Sequence, residues 1–198
     1  MLDAAHGGTD PGARGAGGIV EKEVVLSVAR AVQAQLERQG LRVVLTRQGD
    51  ENPSFDDRAA AANAQRGAVF ISLHVSSNGP AGTARAYFAV AENGGMQTAE
   101  ASGLLRWNRA QQPYAAHSRR LAEILQVQLG QKLRGSPEIP FAGAVRQLRS
   151  ITAPAVAIEL SSVSVADRAQ LDKAIEPLAE SVARGVAAFK TVYEAGGK

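Results

Sequence analysis

Apolar positions along the chain change period several times, and each change marks an element. Leu2 to Ala5 reads as a short buried strand, cut close at its start. From Glu21 to Gln39, Val25, Ala29, Val32 and Leu36 recur at helical spacing, and Gly40 is placed to end the helix. Leu41 to Thr46 (LRVVLT) is β-branched and predicts a strand. Phe55 to Arg66 predicts a second helix, capped by Ser54 after Pro53. Val69 to Val75 (VFISLHV) and Thr83 to Val90 (TARAYFAV) predict buried strands, and Ala155 to Leu160 and Val145 to Leu148 shorter ones. His117 to Leu133 is helical. The C-terminus predicts two helices, the second opened by Pro177 and buried along Leu178, Val182, Val186 and Phe189. Glu92 to Ala116 fits no period and reads as an irregular insertion.

Alternating strands and helices predict one α/β domain over residues 1–198, a mostly parallel twisted sheet with helices on both faces. No repeat or linker divides it.

Composition narrows the chemistry. There is no cysteine, which excludes disulfides, thiol nucleophiles and cysteine-bound zinc. The net charge of +3 and the 5% aromatic content supply no stacking surface for nucleic acid. No apolar run approaches the roughly 18 residues that read as a membrane span. Because the first strand starts at Leu2, we expect an upstream segment, with any export signal, to precede Met1.

Three histidines are present. His6 follows the first strand in His6-Gly7-Gly8, and His74 lies near the end of VFISLHV before a polar loop. His117 reads as a surface or cap residue. Glu21 opens the first long helix after a glycine-rich loop, and Glu159 stands near the end of the apolar strand AVAIEL. In a parallel α/β sheet, strand carboxyl ends and the following helix starts converge on one rim. His6, Glu21, His74 and Glu159 are therefore expected together there. Two imidazoles and one carboxylate are a common ligand set for catalytic zinc. Singly, each has a plainer reading: a hydrogen-bonded core histidine, a carboxylate complementing a helix N-terminus, or Glu159 as an ion-pair partner of Arg47 or Arg58. Gly7 to Gly18 lacks the Gly-Lys-Ser/Thr ending of a P-loop, and Ser161-Ser162 has no nucleophile-elbow motif.

LDAAHGGTDPGARG, GIVEKEVVLSVARAVQAQLERQGLRVVLTR, DDRAAAANAQRGAVFISLHVSSN and PAVAIELSSVS follow one another in order. Together they resemble the zinc-dependent N-acetylmuramoyl-L-alanine amidases of the AmiA/AmiB/AmiC and CwlV type. The resemblance implies Zn2+ on His6, Glu21 and His74, Glu159 as catalytic base, and peptidoglycan or muropeptide as substrate. It also implies an extracytoplasmic location in periplasm or cell wall. Asp3 and Asp10 are candidates for orienting a metal-bound imidazole. Some relatives carry a helix that plugs the zinc site until a protein activator displaces it; Glu92 or Glu100 are the candidates for a plugging carboxylate here, with an ordinary surface loop as the plainer reading of the stretch. Two positions depart from the family: Ala5 precedes the first histidine where a Gly is usual, and Ser161-Ser162 replaces a Gly-Phe pair. A zinc peptidase acting within the stem peptide and a catalytically silent wall-binding module are the alternatives.

Overall fold

The period-two burial of the strands sorts the sheet into two unequal faces. In the computed structural model, which describes residues 1–15, 17–90 and 109–195, five strands run in the order β1-β2-β5-β3-β4. They are β1 (Leu2–Ala4), β2 (Phe70–Val75), β3 (Ala84–Ala89), β4 (Phe141–Gly143) and β5 (Ala155–Leu160). The helices are α1 (Glu21–Arg38), α2 (Phe55–Asn63), α3 (Ala115–Lys132) and α4 (Arg168–Ala195). Ile71, Leu73 and Val75 of β2 and Val156, Ile158 and Leu160 of β5 join the main core under α1, α3 and α4. The intervening Phe70, Ala155 and Ala157 face the other way, into a smaller core with Ala59 and Ala62 of α2 and Leu148 and Ile151. His74 and Glu159 fall on that second face by the same alternation.

The pairings β1/β2, β2/β5 and β3/β4 are parallel, and only the β5/β3 join is antiparallel. Three predicted elements come out differently. Leu41 to Thr46 is not a ladder strand: it meets β1 through Leu2 N to Val44 O (2.8 Å) and Thr46 N to Leu2 O (3.0 Å). A three-residue β1 has no further groups to offer it. Val145 to Leu148 contains a 3-10 turn, Arg146–Leu148, and the local strand is β4 instead. Val145 and Leu148 lie three apart, so one tight turn aims both at the second core. The C-terminus is a single helix with Pro177 inside it. The buried stripe Leu171, Ala174, Leu178, Val182, Val186 and Phe189 runs straight through the proline. Burying that face outweighs the roughly 3 kcal/mol a mid-helix proline costs.

Helix α2 begins with a reciprocal cap: Asp57 N–H donates to Ser54 Oγ, and Ser54 N–H to Asp57 Oδ2. This fixes Arg58, whose guanidinium enters the interior beneath β1. Arg58 Nη1 meets Asp3 Oδ1 at 2.6 Å and donates to Ala4 O, while Nη2 donates to His6 O at 2.8 Å. Asp3 is completed by the Thr46 and Ser72 hydroxyls. Arg47 donates to the Ala4, Ala5 and Lys22 carbonyls. The two arginines thus satisfy the backbone where β1 stops pairing and turns into the His6 loop. Arg58→Ala leaves the buried Asp3 carboxylate unpaired, so we expect a stability loss of about 3–5 kcal/mol, read as a lower urea midpoint with unchanged slope.

Among the described residues no helix is long and apolar enough to cross a membrane.

Candidate metal centre and adjoining carboxylate

Four chemistry-bearing side chains meet at the carboxyl ends of β1, β2 and β5. His6 lies two residues past β1 with φ of 62°, a left-handed conformation that turns its ring back over the sheet edge. Gly12, in the loop that follows, has φ of 64°, and a Cβ there would lie 2.5 Å from Glu21 Oε2 and 2.7 Å from His6 Cδ2. Only glycine lets that loop pass so close to both side chains. Glu21 is the first residue of α1, where its charge complements the helix N-terminus. His74 is one residue from the end of β2 and stands in register with Glu159 of β5.

Glu21 is the hub. Its Oε1 lies 3.2 Å from His6 Nε2 and 3.1 Å from His74 Nδ1 and accepts from Val75 N–H at 2.9 Å. Its Oε2 accepts from Ala13 N–H at 2.7 Å. One ligand atom from each of His6, Glu21 and His74 falls within 4.8 Å of the others. Zinc bound tetrahedrally at about 2.0–2.1 Å sets its ligand atoms roughly 3.3 Å apart. The 3.1 and 3.2 Å separations come close to two such edges, and the donor set suits an ion of this kind.

Burial pushes the Glu21 carboxyl up, but both imidazoles and two backbone N–H groups outweigh it and hold Glu21 well below the usual carboxylate range. Burial lowers His6, and hydrogen bonds and charge from Glu21 and Asp10 more than reverse this, raising it. Slight burial raises Asp10, and the His6 and Gly12 bonds bring it down.

Asp10 Oδ2 accepts from His6 Nδ1 at 2.8 Å, the geometry expected of an orienting carboxylate. Asp3 does not share that role: it is committed to Arg58, Thr46 and Ser72 and touches no histidine. Neither Arg47 nor Arg58 pairs with Glu159. Glu159 Oε2 instead accepts from the Tyr87 hydroxyl at 2.7 Å. Burial and then the Glu159 bond push the Tyr87 hydroxyl up to about 12, so it remains a donor at physiological pH. Gln147, from the 3-10 turn, has its carboxamide 3.3 Å from His74 Nε2. Tyr87 and Gln147 carry no signal in the sequence, because neither belongs to a motif. His117 is exposed on α3, edge-on to Tyr193 and apart from the site. Residues 91–108, with the plugging positions Glu92 and Glu100, lie outside the described residues.

An α/β domain carrying two imidazoles and a carboxylate at metal-ligand spacing, with a second carboxylate beside them, has a candidate site for a metal-dependent hydrolase. The profile of the N-acetylmuramoyl-L-alanine amidase family matches residues 1–188, and the chain belongs to that family. The endolysin of Bacillus phage SPP1 is 30% identical over 99% of this chain and 67% of its own length. AmiC of Neisseria meningitidis is 47% identical over 39% of this chain but only 18% of its own. The chain thus matches less than a third of that curated relative. Among solved structures, the CwlD amidase of Clostridioides difficile, in complex with the GerS lipoprotein, superposes with a TM-score of 0.75 at 19% identity. That match covers 96% of this chain and 97% of that one. The catalytic domain of CwlV from Bacillus (Paenibacillus) polymyxa gives 0.66 at 23%, with 96% and 97% covered. At such identities these two likenesses speak for the fold.

Proposed function

We propose that the domain hydrolyses the amide between N-acetylmuramic acid and the L-alanine of the peptidoglycan stem, with zinc held by His6, Glu21 and His74. The observation that carries this is the convergence of those three groups beside Glu159, which is in register with His74 on the adjacent strand. Zinc held there supplies a Lewis acid for the amide carbonyl and lowers the pKa of a water from 15.7 towards about 7. The proton work falls to Glu159. Tyr87 occupies Oε2, leaving Oε1 to take the proton of the water that attacks the carbonyl carbon. Glu159 then returns that proton to the alanine nitrogen as the C–N bond breaks, so carboxylate and free amine are the products.

Asp10 and Gln147 act behind the ligands. With a metal on Nδ1, His74 would carry its proton on Nε2 and need an acceptor; the Gln147 carboxamide, whose Nε2 lies 3.3 Å from His74 Nε2, would present its oxygen there once the amide is turned over. Gln147→Leu is expected to weaken zinc binding about 10–100-fold, measured by competition with a chromogenic chelator, whereas Gln147→Glu keeps an acceptor and most of the affinity.

The reading places the domain outside the cytoplasm, where its substrate is. The solved complex of CwlD with GerS makes a protein partner part of the same reading. The test is digestion of purified peptidoglycan, with products identified by mass spectrometry. Stem peptides that begin with free L-alanine are expected. Peptide fragments with the proximal residues still on the glycan would mean a stem peptidase, and binding without any cleavage a silent wall module.

A further inference from the structure

Arg85 has no part in the chemistry above, yet it stands directly opposite Glu159 in the antiparallel β3/β5 pair. Opposed residues in such a pair share a face, with Cα atoms about 4.5–5.5 Å apart. Its guanidinium lies 5.9 Å from the centroid of the Phe141 ring, which backs it from β4. Among the described residues no carboxylate forms an ion pair with it. Arg85, Tyr87 and Glu159 line one cavity of about 450 Å³, together with Ser76, Asn78 and Pro137. A partly buried guanidinium held on an aromatic ring beside Tyr87, with no ion-pair partner among the described residues, is set up for a planar anion from outside.

We propose that Arg85 is a specificity-determining residue that receives a carboxylate of the stem peptide, that of the residue next after L-alanine. The inference rests on the amidase reading. With the scissile amide at Glu159, the α-carboxylate of the second residue lies roughly 6–7 Å on in an extended peptide, nearly two residue lengths, within the reach of an arginine side chain on the neighbouring strand. Where the second stem residue is glutamate joined through its side chain, its α-carboxylate is free to make that contact. Amidation of the same group removes the charge and one acceptor, and leaves a donor facing five guanidinium donors.

The experiment compares three muramyl tripeptides. In the first the second residue keeps its α-carboxylate; in the second that group is amidated; in the third only the C-terminal carboxylate is amidated. The wild-type domain is expected to favour the first over the second by about 10- to 100-fold in kcat/KM, the range of one charge-assisted contact. The third should behave like the first. Arg85→Gln should lose the discrimination by slowing the first substrate and sparing the second. Arg85→Glu, equally exposed, should invert it. Discrimination against the third substrate alone would assign the arginine to the peptide terminus and overturn the proposal. Equal wild-type cleavage of the first two, or equal losses on both in Arg85→Gln, would also overturn it with the amidase reading intact. Failure of wild type to cleave any of the three would instead strike the amidase reading.

Discussion

Glu159→Gln lowers kcat about 10³-fold, within the 10²–10⁴-fold range of positioned general bases, and leaves metal content and thermal midpoint near wild type. The expectation follows from geometry. Glu159 sits beside the metal ligands rather than among them, since His74, in register with it, turns Nδ1 towards Glu21. The carboxamide is nearly isosteric and still accepts the Tyr87 hydrogen bond, so β3 and β5 keep their packing. What is lost is basicity at the remaining oxygen. Single-turnover rates on muropeptide and zinc stoichiometry by atomic absorption check the two halves separately. A variant that kept wild-type turnover would remove Glu159 from the chemistry.

Removing the metal has a comparably large effect, and one that does not depend on knowing the substrate. A chelator is expected to abolish hydrolysis, with zinc restoring it. Because the ion binds only the folded arrangement, zinc at about 100 times its dissociation constant adds roughly 2.7 kcal/mol of stability. For a chain of this size that raises the thermal midpoint by about 5–11 °C. His74→Ala should lose this rise, and its affinity should fall by more than the 10–100-fold typical of outer partners. Glu21→Ala should do worse in the apo protein as well. Glu21 accepts from Ala13 and Val75 N–H groups, so its removal orphans one backbone donor in the glycine-rich loop and one at the end of β2. A midpoint that ignores zinc in the wild-type chain would mean that the cluster is a hydrogen-bonded structural hub and nothing more.

The two glutamates were legible for different reasons. Glu21 announces itself by position, at the first residue of an amphipathic helix after a glycine-rich loop. Glu159 announces itself by context, as the one charge in an otherwise apolar strand. His6 and His74 were legible because each lies within two residues of the end of a strand whose burial is plain. The orienting role expected of Asp3 fails, because its proximity in sequence to His6 says nothing of which face of β1 it occupies. Alternation sends it inward to Arg58, while Asp10, further along the chain, curls back to the His6 ring. Tyr87 and Gln147 carried no signal, since their relevance comes from partners 72 and 73 positions away.

By itself the sequence determined the periods, and so where most elements run and which face of each is buried, because burial of an amphipathic stripe is settled within one element. It also determined the candidate donors, since the composition provides three histidines and no cysteine. Only the tertiary structure decided the strand order β1-β2-β5-β3-β4 and the antiparallel turn of β3 that sets Arg85 opposite Glu159 and brings Tyr87 to its carboxylate. Strand partnership is a long-range choice, made by hydrogen-bond ladders and loop closure between distant segments. The same holds for the losses: Leu41 to Thr46 has strand propensity but too short a neighbour, and Pro177 has breaking propensity but too good a buried face. In both, the energy of packing against what lies alongside outweighed the local preference.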